Sequence, residues 1–107
     1  MRHSAFWICL LLITGCQISA AAAEALEDRG KELLTRLCAR CHAVGKDGQS
    51  PHRGAPVFRS IGDRYNINEL TERMSDRLIS THPDMPDFQF SQADAKAIRA
   101  YLYSIQR

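Results

Sequence analysis

Apolar residues recur at a helical period in three separate parts of the chain. Acidic residues occupy the first turns of the first part, where carboxylates stabilise the positive end of a helix dipole. The second part begins with Asn66 and has Glu69 three residues later; the third begins with Ser91 and has Asp94 in the same relation, as in capping boxes. The pattern therefore predicts three helices, over Glu24–Ala39, Asn66–Ile79 and Ser91–Gln106.

The apolar positions of the three helices predict their buried faces. They are Leu26, Leu33, Leu34 and Leu37 in the first helix, Ile67, Leu70, Met74 and Leu78 in the second, and Ala95, Ile98, Leu102 and Ile105 in the third, with Tyr101 beside them. Met74 belongs to such a face, which favours core packing over metal binding. Gly30 costs its helix about 1 kcal/mol relative to alanine. It indicates either close contact with another helix or a tolerated surface position.

The segment between the first two helices, Ala43–Arg64, has no apolar period. Glycine and proline are spread through it, and few of its residues are strongly apolar. A loop of this length is uncommon in a small domain unless it has a function, such as enclosing a cofactor. The sequence therefore predicts an all-α fold with three main helices and one long loop.

The N-terminus has the pattern of a secretory signal peptide. A short positive start is followed by an apolar run, Ala5–Thr14, and by the small residues Ala21–Ala23. The apolar run is too short to span a bilayer, which takes about 20 residues. We expect a signal peptide over residues 1–23 and a domain over 24–107. Alternatively, Ile13–Cys16 resembles the lipobox of bacterial lipoproteins, which would give a signal over 1–15 and a lipid on Cys16.

Length and charge limit the possible functions. A chain of 107 residues holds one small domain, and a domain this small often needs a metal or cofactor to complete its core. The formal net charge is +2, and the predicted signal contains one basic residue, Arg2, and no acidic one. The remaining domain is thus nearly neutral, which argues against a nucleic-acid partner.

Cys38 and Cys41, followed at once by His42, have the spacing by which haem is attached covalently to a protein. The thiols would form thioethers, and the imidazole would bind the iron axially. Cys9 and Cys16 lie in the predicted signal, so cleavage after residue 23 leaves only this pair. Two alternatives remain open from the motif alone. One is a zinc site with His42 and His52 as further ligands, and the other is a redox dithiol.

Met85 is the candidate for the second axial ligand of the iron. It lies between Pro83 and Pro86, and the prolines push His82 and Met85 into extended conformations, so the loop is stiff. A thioether is a soft, neutral ligand suited to a low-spin electron carrier. His82 in this position is a lesser variant.

The chain resembles the small class I c-type cytochromes of bacteria. The likeness extends from about residue 28 to 105 and is carried by RGKELLTRLCARCHAVG, GAPVF, HPDMPDF and DAKAIRAYLYSIQ. It implies a small cytochrome c fold around one covalently attached haem c. It also implies that Gly30 and Leu34 cross Ile98 and Tyr101, and that the carbonyl of Pro56 accepts the free N–H of His42.

The chain differs from longer members of that family, because Trp7, its only tryptophan, lies in the predicted signal. The tryptophan that binds a haem propionate in those members is therefore missing. Three residues are candidates for that role, with solvated surface positions as the alternative: Arg59, Arg64 and Tyr65.

The expected function is that of a periplasmic one-electron carrier rather than an enzyme. Its partners would be redox proteins such as a dehydrogenase, oxidase or reductase, and it would contact a membrane only if lipidated at Cys16. Five basic residues form a candidate docking face or simply a solvated loop: Arg40, Lys46, Arg53, Arg59 and Arg64. Two alternatives are a haem subunit of a dehydrogenase or oxidase complex, and a haem protein with an open sixth site that acts as a peroxidase or ligand sensor.

Overall fold

The computed structural model describes residues 2–78 and 80–107 of the chain, with side chains described from Ser19 onward. The helices are α1 (Arg2–Leu37), α2 (Ile67–Asp76) and α3 (Gln92–Ile105), with a 3₁₀ segment at Phe58–Asp63. In this described part there is no strand, only an isolated bridge between Leu78 and Phe88. The all-α prediction is therefore confirmed. None of the helices, as far as the described residues extend, is both long and apolar enough to cross a membrane.

Helix α1 begins much earlier than the predicted start at Glu24 and ends at Leu37, two residues before the predicted end. Alanine is the strongest helix former, and the alanines at positions 20–23 offer no point at which the helix would stop. The predicted boundary at residue 23 is a signal-peptide cleavage site rather than a helix end, and it stays a prediction. Cys9 and Cys16 lie among the residues whose side chains are not described.

Helices α1 and α3 cross at Gly30. A methyl group at this position would overlap the carbonyl oxygen of Ala97 and lie 2.8 Å from Cβ of Tyr101. Leu34 and Ile98, which belong to the same crossing, are both 0% exposed. The crossing implied by the family resemblance is confirmed, and close helix contact explains the glycine.

The 3₁₀ segment lies within the long loop predicted over residues 43–64 and was not itself predicted. Its Phe58 and Ile61 are buried in the core. Gln106, near the C-terminal end of the chain, holds it in place. Its Nε2 donates to the carbonyl of Phe58 at 2.9 Å, and its Oε1 accepts from the N–H of Gly62 at 2.9 Å. A segment of six residues with a kink at Ser60 is too short to show a helical period in the sequence.

Helix α2 starts as predicted but ends earlier. Asn66 accepts a hydrogen bond from the N–H of Glu69 at 3.2 Å, which confirms the cap. The predicted end at Ile79 is wrong, since the helix stops at Asp76 and Leu78 forms backbone hydrogen bonds with Phe88 instead. Leu78 therefore reaches the core from an extended segment rather than from a helix face. Ile79 itself lies outside the described residues.

Helix α3 lies within one residue of its predicted bounds at each end. Ser91 caps it by accepting from the N–H of Asp94 at 3.0 Å. All four positions of its predicted apolar face are buried, and so is Tyr101. This helix is the central element of the core, because α1, α2 and the 3₁₀ segment all pack against it.

Candidate functional site

The Cys38–His42 segment, called here the attachment turn, follows directly from the end of α1. The N–H of Cys38 still donates to the carbonyl of Leu34 at 2.8 Å, as in a helix. The N–H groups of Cys41 and His42 then both donate to the carbonyl of Cys38, at 3.2 and 2.9 Å. Both cysteines are free thiols and half-buried. One turn of backbone therefore presents two thiols and one imidazole together.

Burial raises the pKa of the Cys38 thiol to about 11, with a further contribution from the charge of Cys41. Cys38 is therefore protonated at neutral pH. Redox-active and metal-binding cysteines are favoured as thiolates, with pKa values lowered by their surroundings. The surroundings of Cys38 raise its thiol pKa instead of lowering it, which argues against the redox-dithiol alternative.

The His42 ring is fixed by one hydrogen bond. Its Nδ1 lies 2.7 Å from the carbonyl oxygen of Pro56. Because a carbonyl can only accept, we assign the proton to Nδ1, which leaves the lone pair on Nε2. The ring also packs against Phe58 with 4.8 Å between ring centroids. Nε2 is thus the nitrogen available to bind a metal, and hydrogen bonding to the other nitrogen makes it a more basic ligand.

The geometry of the described residues does not match the zinc alternative. The described residues contain no group of three histidine, cysteine, aspartate or glutamate side chains that could hold a metal ion. His52, the fourth ligand in that alternative, instead has Nε2 3.3 Å from Oδ2 of Asp84 and Nδ1 2.9 Å from the carbonyl of Arg53.

Met85 closes a tight turn formed by residues 82–85, called here the methionine turn. Its N–H donates to the carbonyl of His82 at 3.2 Å, and Pro83 lies at the second position of the turn, where its fixed φ is favourable. The Met85 side chain is half-buried. Met74, by contrast, is buried in the core on α2, so its prediction as a packing residue is confirmed.

His82 is exposed, and its Nδ1 accepts a hydrogen bond from the N–H of Asp84 at 3.2 Å. Its ring meets the ring of His52 edge to face, with 5.6 Å between centroids. The imidazole therefore stabilises the methionine turn from within. Its role as a variant ligand stays a prediction.

The three propionate candidates lie in or directly after the 3₁₀ segment. Arg59 donates from Nη1 to the carbonyl of Gly48 at 2.6 Å, so part of its guanidinium already binds the backbone. Arg64 and Tyr65 are exposed. Their role stays a prediction. The docking role of the five basic residues also stays a prediction; all of them except Arg59 are exposed.

Two polar contacts near the site could not be found from the sequence. Tyr101 donates its hydroxyl to the carbonyl of Val44 at 2.7 Å, which joins α3 to the backbone just after the attachment turn. Burial raises the pKa of this hydroxyl above its ordinary value. The contact between His52 and Asp84 joins two loops. No local pattern marks either pair, because the partners are far apart in the chain.

Comparison with known proteins adds two matches. A family model described as "Cytochrome C oxidase, cbb3-type, subunit III" matches residues 25–102. The chain is also similar to a cytochrome c-552 of Bradyrhizobium diazoefficiens, with 34% identity over 100 residues that cover 92% of each chain. No solved structure matches the chain at a significant level.

Proposed function

Because this chain belongs to the cytochrome c family, we propose that its haem c is held by the attachment turn, with Cys38 and Cys41 as the thioether residues. As a small c-type cytochrome it is an electron carrier with covalently bound haem, and its partners are redox proteins. The bound haem supplies an iron that changes between Fe(II) and Fe(III) by one electron. One attachment motif in the chain supports one haem.

The hydrogen bond between His42 and Pro56 is the observation that carries the proposal. It fixes the ring orientation and leaves the lone pair on Nε2, the nitrogen that would bind the iron. The two free thiols lie on the same turn as that ring, so the donor set suits a covalently attached haem. His42 is proposed as the first axial ligand, with Pro56 as the residue that orients it.

Met85 is proposed as the second axial ligand. The methionine turn holds it half-buried in a closed, proline-containing conformation, in contrast to Met74 in the core. A neutral thioether would stabilise the ferrous state of the iron, and two protein ligands would leave it no position for a substrate. This arrangement supports electron transfer rather than catalysis.

Attachment is tested by producing the exported protein together with haem-attachment machinery. We expect a red protein that keeps its haem after denaturation. Cys38→Ser and Cys41→Ser should each remove one thioether, and the double variant should release its haem on denaturation. A colourless protein that contains zinc would contradict the proposal.

The ligand role of Met85 is tested by spectroscopy. The oxidised protein should show the weak sulfur-to-iron charge-transfer band, and Met85→Ala should lose it. Met74→Leu is the matched control, because this buried methionine should leave the band unchanged. A high-spin wild-type protein that binds carbon monoxide readily would instead favour the open sixth site of a peroxidase or ligand sensor.

We also propose that the chain is exported to the periplasm, with cleavage after residue 23. Support comes from the positive, apolar and small-residue regions in signal-peptide order. Intact-mass measurement of the processed protein is the test. A mass that begins at Glu24 is expected, whereas a lipidated mass that begins at Cys16 would show a membrane-anchored lipoprotein.

A second candidate role is that of a haem subunit in an oxidase or dehydrogenase complex. The observation that favours it is the family model, whose description names subunit III of a cbb3-type oxidase. Purification from the native membrane distinguishes the roles, because a subunit should co-purify with its complex in fixed ratio.

The proposed docking face is tested by ionic strength: electron-transfer rates that do not change with salt would exclude it.

A further inference from the structure

His52 connects the attachment turn to the methionine turn. Its backbone N–H donates to the carbonyl of Cys41 at 3.1 Å. Its ring Nε2 lies 3.3 Å from Oδ2 of Asp84, the residue before Met85. One residue thus contacts both halves of the proposed ligand set, through its backbone on one side and its side chain on the other.

The contact at Asp84 restrains Met85 because the methionine turn is bonded to itself. The N–H of Met85 donates to the carbonyl of His82, and the N–H of Asp84 donates to Nδ1 of His82, both at 3.2 Å. The His82 ring also packs against the His52 ring. Residues 82–85 therefore form one closed unit, so a contact that holds Asp84 also restrains Met85.

Few other polar contacts hold this unit in place. Within the described residues, the contact of His52 with Asp84 is the only hydrogen bond from residues 81–86 to a residue outside 80–86. Its two side chains are 37% and 66% exposed. One partly solvated contact is thus the polar link from the methionine turn itself to the attachment-turn side of the molecule, and Met85 is only half-buried.

We propose that His52 is a positioning residue that holds Met85 toward the attachment turn through Asp84. The proposal rests on the ligand role of Met85. Without the contact, the methionine turn should open more often, and an added ligand should replace Met85 more readily. A largely exposed contact between a histidine and a carboxylate contributes little, so the expected gain in apparent imidazole affinity is roughly two- to fivefold.

The test is imidazole titration of the oxidised holoprotein, followed by loss of the sulfur-to-iron band. His52→Ala removes the ring but keeps the backbone bond to Cys41, and Asp84→Ala removes the carboxylate. Each variant should bind imidazole more tightly than the wild type. The double variant should bind it only slightly more tightly than either single variant, since both changes remove the same contact. His52→Gln should bind imidazole with an affinity between those of His52→Ala and the wild type, because its amide can still donate to Asp84.

Asp47→Ala is the matched control, because Asp47 has a comparable exposed contact with Arg107 at 3.3 Å, outside the methionine turn. It should leave imidazole binding unchanged. In His52→Ala and Asp84→Ala, the free energy of unfolding by guanidinium should fall by no more than the gain in imidazole affinity implies, because both measurements report loss of the same contact. A fall in that free energy much larger than the gain in imidazole affinity implies would show a merely structural role and overturn the proposal.

Two negative results are distinguishable. A wild-type protein without the sulfur-to-iron band would overturn the ligand role of Met85, and the role of His52 with it. A wild-type protein with the band, whose His52→Ala and Asp84→Ala variants bind imidazole like the wild type, would overturn the role of His52 alone.

Discussion

The crossing of α1 and α3 and the methionine turn are held by different forces. At the crossing, fully buried side chains such as Leu34 and Ile98 pack around Gly30, where no side chain would fit. The methionine turn is exposed over most of its residues and joined to the attachment turn through His52 and Asp84. The attachment turn begins where α1 ends, so His42 is positioned by the core. Of the two proposed ligands, His42 is thus fixed in position, whereas Met85 can be released by a small free energy.

The largest expected effect is at the centre of the crossing. Leu34→Ala should lower the unfolding free energy of the holoprotein by about 2–5 kcal/mol, since it removes a fully buried side chain and leaves a cavity. Guanidinium unfolding measures this. Leu37→Ala is the control one turn later, where the side chain is 38% exposed, and it should cost much less. Equal losses would show that burial is not what holds the crossing.

Gly30→Ala should be the next largest change. The added methyl group would meet the backbone of Ala97, which cannot move without displacing α3, and overpacking of this kind costs about 1–3 kcal/mol. Gly45→Ala is the control, because no atom lies within 4 Å of the position of its added methyl group. A Gly30→Ala variant as stable as the wild type, by the same unfolding measurement, would contradict the close contact.

Tyr101→Phe should cost about 1 kcal/mol through loss of the hydrogen bond to Val44. Tyr103→Phe is the control, since that hydroxyl is exposed. Burial raises the pKa of Tyr101, and its phenolate cannot donate. The contribution of this hydrogen bond to the unfolding free energy should therefore be fully present below the ordinary tyrosine pKa of about 10. It should be lost as the pH rises through the raised pKa. The wild type should lose stability over that range, and Tyr101→Phe should lack this part of the loss.

The smallest effect on stability is expected at the methionine turn. Asp84→Ala should change the unfolding free energy by less than about 1 kcal/mol, because its contact with His52 is largely exposed. Imidazole affinity should nevertheless change. A large loss of stability in this variant would mean that the methionine turn belongs to the core and would remove the contrast between the two regions.

Elements with a local cause could be predicted from the sequence. The caps at Asn66 and Ser91 and the apolar face of α3 are as expected, because capping and periodicity act over a few residues. The end of α2 could not be predicted in this way. Leu78 continues the helical period, but its backbone pairs with Phe88 ten positions later. The 3₁₀ segment was missed for a related reason, since Gln106 at the far end of the chain holds it.

The sequence by itself determined which candidate ligand atoms this protein offers. Two cysteines and a histidine at fixed spacing, and a methionine between prolines, define donor atoms whatever their surroundings. Only the tertiary structure decided how those donors are held. It brings Pro56 to one nitrogen of His42, buries the thiol of Cys38, and joins His52 to Asp84. The two hydrogen bonds link residues 14 and 32 positions apart in the chain, so no local pattern in the sequence determines them.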